Sequence, residues 1–153
     1  MMTKKIVFVV VLIGFLAMVY ANGNAKDLPM EDIENQLKEK TNIEKMAKCD
    51  NRNLMQFFGL DYEQYESHIF YKGKEALSVE EVLIVKAHSK EDLSPVKDAV
   101  DARIASQIKT FEGYGPEQVA MLKNAIVTTK GNYLFYCVSK NPEKYEEVFK
   151  DAI

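Results

Sequence analysis

Two histidines, two cysteines, paired acids and one arginine–glutamine pair are the side chains in this 153-residue chain whose types suit chemistry. His68 lies in "SHIFY", beside Ser67 and Glu66, and His88 ends "LIVKAHS", beside Ser89. If the two segments pair as a hairpin, an imidazole, a hydroxyl and an acid come into one neighbourhood, the parts of a hydrolase. Two features argue against it. No G-x-S-x-G turn presents a nucleophile, and neighbours on a strand point to opposite faces. No catalytic residue is therefore assigned, and an envelope hydrolase using His68 or His88 stands as the alternative. Glu80 and Glu81 form a carboxylate pair by sequence, but as strand neighbours they face apart, unlike glycosidase acids, which face each other across roughly 5 to 9 Å. Glu63 and Glu66 would share a face only in a helix. All four are expected to be solvated acids.

Binding chemistry has slightly better candidates. Arg103 and Gln107 are spaced one helical turn apart and could meet a carboxylate. Tyr114 lies between two glycines, and Tyr133 belongs to an aromatic strand. These four are the binding candidates. Cys49 and Cys137 make an even count, which in an oxidising compartment invites a disulfide; the other reading is two free thiols, one buried. Two Cys and two His in unrelated segments have no metal-ligand spacing. No metal and no cofactor are expected.

"TFEGYGPEQ", Thr110 to Gln118, looks most like a ligand loop. A dinucleotide fingerprint needs G-x-G-x-x-G after a strand, whereas here Gln118 takes the third glycine's place and a helix comes before. Each unusual residue has a backbone task instead. Gly113 suits a left-handed helix end, Gly115 caps the next helix, and Pro116 enters its first turn. The stretch reads as a helix corner carrying one aromatic anchor, Tyr114.

The elements that hold these residues follow from periodicity. "DLPMEDIENQLKEKTN" reads as a helix with Asp27 as cap, Pro29 in the first turn, and Met30, Ile33 and Leu37 at helical spacing. "IEKMAKCD" is expected to continue it, and "NLMQFFGLDYEQY" to form a short helix ending at Gly59. "SHIFYKG" and "EEVLIVKAHS" are strands, rich in β-branched and aromatic residues. "SPVKDAVDARIASQIKTF" is the clearest helix, capped by Ser94 and opened by Pro95, with Val96, Val100, Ile104, Ile108 and Phe111 in one stripe. "NAIVTT", "KGN" and "YLFYCVS" give a hairpin, and "NPEKYEEVFKDAI" a closing helix. The fold class is α+β, with a four-stranded, mainly antiparallel sheet and order α-α-β-β-α-α-β-β-α. "VLIV" and "YLFYCV" are apolar on both sides. Either helices cover both faces of the sheet, or one face is left for a ligand or self-association.

The amino terminus differs in kind. "MMTKK" is followed by an uncharged apolar run of 15 residues, Ile6 to Tyr20, then by Val19 and Ala21 at the −3 and −1 positions of a cut after Ala21. Basic head, short apolar middle and small-residue exit make a secretory signal peptide; an uncleaved anchor is the alternative. Residues 1–21 are read as that segment, 22–29 as a short linker and 30–153 as one domain. Either way the domain works beyond the cytoplasmic membrane, secreted or envelope-associated. Losing residues 1–21 removes Lys4 and Lys5 and no acid, moving the net charge from −3 to −5. With acids and bases interspersed and no basic stripe, nucleic acid is excluded as a partner and anionic lipid is a poor one. Any membrane contact is left to the amino-terminal segment.

"VEEVLIVKA" and "ARIASQIKTFEGYGPEQVAMLKNAIVTTKGNYLFYCVS" resemble an uncharacterised family of exported Gram-positive bacterial domains, domain of unknown function 4358, over about Met30 to Ile153. The most specific matches are Arg103, Gln107, Phe111, Gly113–Tyr114, Pro116, Ala125–Val127 and Gly131–Tyr133. The resemblance implies an extracytoplasmic address and this order of elements, and it carries no reaction or catalytic residues. Members typically carry a lipoprotein signal, whereas this chain has no lipobox cysteine. The expectation is a non-enzymatic binding domain for a protein, peptide or envelope component, or for a second copy. A structural part of a surface assembly is a further reading.

Overall fold

The computed structural model describes residues 2–23 and 25–153, without the side chains of residues 21–23. Its sheet is built from β1 (Ala47–Lys48), β2 (Ser67–Lys72), β3 (Glu81–Lys86), β4 (Ile126–Lys130) and β5 (Tyr133–Val138). All neighbours are antiparallel, in the order β1-β2-β3-β5-β4. The α+β class and the order of the five longer helices after residue 29 and the four longer strands match the sequence reading. The strand count does not: there are five. The fifth, Ala47–Lys48, lies in "IEKMAKCD", which was expected to be helical. The first domain helix stops at Lys40, and a 3-10 turn over Ile43–Lys45 leads into the strand. A two-residue strand shows no alternation; only its pairing with Tyr71 and Lys72 defines it.

Apolar residues on both sides of β3 and β5 are explained by two helical layers. One face of the sheet, with Tyr71, Val82, Ile84, Phe135 and Cys137, packs against α2 (Met30–Lys40) and α6 (Pro142–Ala152). The other, with Phe70, Leu83, Val85, Leu134 and Tyr136, packs against α3 (Asn51–Phe58), α4 (Leu93–Phe111) and α5 (Pro116–Lys123). Every residue of β3 and of β5 is buried. The chain's own helices cover both faces of β3 and β5, so the apolar run of these two strands leaves no exposed aromatic patch.

Caps differ in detail from expectation. α4 begins at Leu93 rather than after Ser94, because a 3-10 turn over Lys90–Asp92 runs into it and Ser89 Oγ donates to Asp92 Oδ2 at 2.9 Å. Pro95 remains in the first turn, where an N–H has no intrahelical partner. α2 is entered through Pro29, and Asp27 is not its cap: its carboxylate bonds the ammonium of Lys86 instead.

The amino-terminal helix α1 (Met2–Gly23) contains one stretch, Met2–Tyr20, long and apolar enough to cross a membrane, with mean hydropathy 2.2 and no part of it buried. The cut expected after Ala21 falls where side chains lie outside the described residues. Lys26 to Leu28, expected as linker, runs over the domain. Tyr133 Oη accepts from Leu28 N at 3.2 Å and lies 3.1 Å from Leu28 O, to which it can donate.

Candidate functional site

The site with the right form is the corner between α4 and α5. α4 ends at Phe111; Gly115 N donates to Phe111 O at 2.9 Å, and Gly113 takes φ 96°, a backbone region that side-chain-bearing residues avoid. Gly115 is pressed from two sides: a Cβ there would lie 2.8 Å from the Phe111 ring and 2.9 Å from Gln118 Oε1. The two glycines turn the chain so that Tyr114 stands out at 61% exposure, its ring 5.4 Å from that of buried Phe111. Beside it runs a groove of about 520 Å³ lined by Ile108, Phe111, Tyr114, Val119 and Ala120, with Glu112 and Lys123 supplying one charge of each sign. The arrangement can bury apolar side chains against an aromatic ring. Among the described residues, no serine, cysteine or histidine lines it. A larger depression, about 640 Å³, lies under the β2–β3 loop, where apolar Leu77, Val79 and Met121 are mixed with charged Lys45, Lys74, Glu75 and Lys140. It differs from the corner groove in its density of charge, not in lacking apolar surface.

The other candidates are dispersed. Arg103 is engaged: its Nε and Nη2 reach Glu81 Oε1 at 3.1 and 2.5 Å, and its guanidinium lies 5.0 Å from the Phe57 ring. Glu81, expected to be solvated, is fully buried and also accepts from Tyr136 Oη at 3.1 Å. A buried carboxylate requires such partners, and the arginine fork supplies two hydrogen bonds at once. Burial, then the Glu81 charge, pushes the Tyr136 phenol far above its ordinary range, so it stays a donor. Gln107 is half-buried one turn beyond Arg103. Tyr133 lies within the opposite layer, hydrogen-bonded to the segment at Lys26–Leu28. These four residues do not form one pocket.

The histidines do not meet either. His68 is opposite Val85, so His88 lies three positions further along the ladder, about 10 Å away and past the strand end. His68 is half-buried; burial, and then Lys48, holds its imidazole below the ordinary pKa and thus neutral. His88 is exposed. Cys137 is buried in the α2/α6 layer, while half-buried Cys49 packs against the layer on the other side; both thiols are free. The sheet separates them, and of the two readings the structure has the two free thiols, one of them buried.

Residues 39–139, about two thirds of the chain, match the family described as Domain of unknown function (DUF4358). The chain belongs to that family. The match is narrower than Met30 to Ile153: it spans β1 to β5 with α3, α4 and α5, and stops before α6. No curated protein and no solved structure matches the chain.

In this DUF4358 chain two polar clusters, each reaching back to a residue before the matched region, escaped sequence reading. Lys86, with 5% of its side chain exposed, bonds Asp27 and lies 3.2 Å from Glu66 Oε1 and 5.5 Å from the Tyr133 ring. Burial alone would lower its pKa, but hydrogen bonds from its ammonium to Asp27 and Glu66 hold it above the usual lysine range. Glu34 on α2 accepts from Lys48 Nζ at 3.0 Å and from the Tyr71 hydroxyl. Burial acts to raise the Glu34 pKa, yet those bonds and the Lys48 and Lys38 charges leave it below the ordinary value. The only sequence signal was a lone charge within an apolar pattern: Lys86 ends "VLIVK", and Glu34 follows Ile33 on the buried side of α2.

Proposed function

We propose that this DUF4358 chain is an exported, non-enzymatic binding domain that grips an apolar protein or peptide segment in the α4–α5 corner groove. The observation that carries the reading is Tyr114: a large aromatic ring held out on a backbone that two glycines shape, beside a groove with apolar walls. Rigid, exposed aromatic rings are the commonest energetic anchors of protein interfaces. Export is supported by Lys4 and Lys5 ahead of the apolar stretch of α1, the form of a secretory or anchoring segment. The absence of a convergent His–Ser–acid set leaves the hydrolase alternative without geometric support among the described residues.

The test is photocrosslinking in intact cells, with a photoreactive residue at Tyr114 and, as control, at exposed Lys97 on α4. A discrete adduct from position 114 that is missing from position 97 is expected. Identical adducts at both positions, or none from 114, would remove the groove as the binding surface.

A further inference from the structure

We infer that, while α1 stays attached, the domain stands on the outer membrane–water interface with its β4–β5 turn against the lipid headgroups and the Tyr114 corner at the far tip. The argument is one of reach. Met2–Tyr20 has 19 residues, about 28 Å as a helix, close to the roughly 30 Å hydrocarbon thickness of a bilayer. Tyr20 then lies at the interface, where tyrosine is enriched. The helix runs on through Gly23, adding about 4.5 Å. Two further chain steps reach Ala25 and add at most about 8 Å. The headgroup layer itself takes up roughly 5 to 8 Å on each side, so Ala25 lies no more than about 7 Å beyond it.

Ala25 is not the start of a loose linker. It lies against Gly131, in the β4–β5 turn, closely enough that a Cβ added to that glycine would meet Ala25 Cβ at 2.9 Å. Tyr133 ties down the backbone at Lys26 and Leu28, and Lys86 ties Asp27 and Leu28 O. The same end of the sheet carries Ala87, whose N–H donates to Asn132 O at 2.9 Å, and next to it exposed His88. α4 starts at this end and runs 19 residues, about 28 Å, to the corner at Tyr114. The tether, rather than charge, therefore sets the contact, consistent with the acidic balance of the domain.

The inference shares with the proposed function only the export of the chain, and its experiment does not use the groove. Full-length protein carrying Cys49→Ser and a fluorophore at His88→Cys or Glu112→Cys is placed in phosphatidylcholine vesicles containing a headgroup spin-labelled lipid. Quenching several-fold stronger at 88 than at 112 is expected. Inserting a flexible Gly/Ser segment of about 15 residues between Asn24 and Ala25 is expected to abolish the difference. Equal quenching at the two positions, or quenching at 88 that survives the insertion, overturns the inference.

Discussion

Replacing Arg103 by methionine separates a binding arginine from a folding one. Glu81 is 1% exposed and Arg103 13%, and the fork spans Nε and Nη2 with contacts of 3.1 and 2.5 Å to Glu81 Oε1. With the charge centres roughly 4 Å apart and an effective dielectric near 20, the attraction is about 4 kcal/mol. Desolvating both ions consumes much of it, so the pair itself adds little net stability. Removing one partner is another matter: the Glu81 carboxylate stays buried with Tyr136 alone. Arg103→Met is expected to cost about 3 to 5 kcal/mol. Adding Glu81→Gln, which removes the orphaned charge and keeps an acceptor for Tyr136, is expected to recover more than half of that. Urea unfolding of the single and double variants gives both numbers, provided the slope with denaturant stays constant. A single variant within about 1 kcal/mol of the parent, or a double variant as unstable as the single, refutes the reasoning. Arg103 would then be available for a ligand after all.

Three further expectations follow from the clusters. The Glu34 pKa is depressed in the folded state, so its stabilising contribution is present above the ordinary carboxylate range and is lost as pH falls through the folded value. Glu34→Gln should therefore flatten the acid side of the stability–pH curve, read by thermal unfolding at stepped pH; an unchanged slope below pH ~4.5 contradicts it. Tyr133→Phe deletes the hydroxyl that holds Lys26 and Leu28, and should cost about 1 kcal/mol while speeding hydrogen exchange at the Leu28 amide. Wild-type protection at that amide in the variant would show that the tie is not needed. Burial pushes the Cys137 thiol up to about 12, so alkylation of the folded protein should mark Cys49 and leave Cys137 untouched until denaturant is added. A mass two units low, with neither thiol reactive, would mean that the bridge forms.

Much of the fold was legible because periodicity carries it. The α4 stripe and the β4–β5 hairpin each repeat over enough residues to select one period, while the two-sided apolar character of β3 and β5 left two readings open, of which the structure has the two covering layers. Strand β1 was illegible, since two residues have no period. Capping went wrong at Asp27 because a capping aspartate and an ion-paired one look alike until the distant Lys86 is in place. Glu81 was misread for the same reason. An acid at the edge of an apolar run is normally wet, and only a partner 22 residues away, Arg103, makes it dry. The corner was read correctly because glycine and proline act locally, within the turn they form. The groove beside it was not, since its walls come from the ends of two helices whose crossing no local pattern specifies.

The strand order has a consequence for the route by which this molecule is made. β3 is flanked by β2, which precedes it, and by β5, which begins 47 residues after β3 ends. A chain made from its amino terminus delivers β1, β2 and β3 first, and their final neighbour has then still to be made. Until Tyr133–Val138 has emerged, β3 offers an unpaired row of peptide groups flanked by Val82, Leu83, Ile84 and Val85, the kind of edge that recruits stray strands. The central ladder closes only after nearly the whole chain has emerged, so assembly is governed by the last segment to arrive rather than the first.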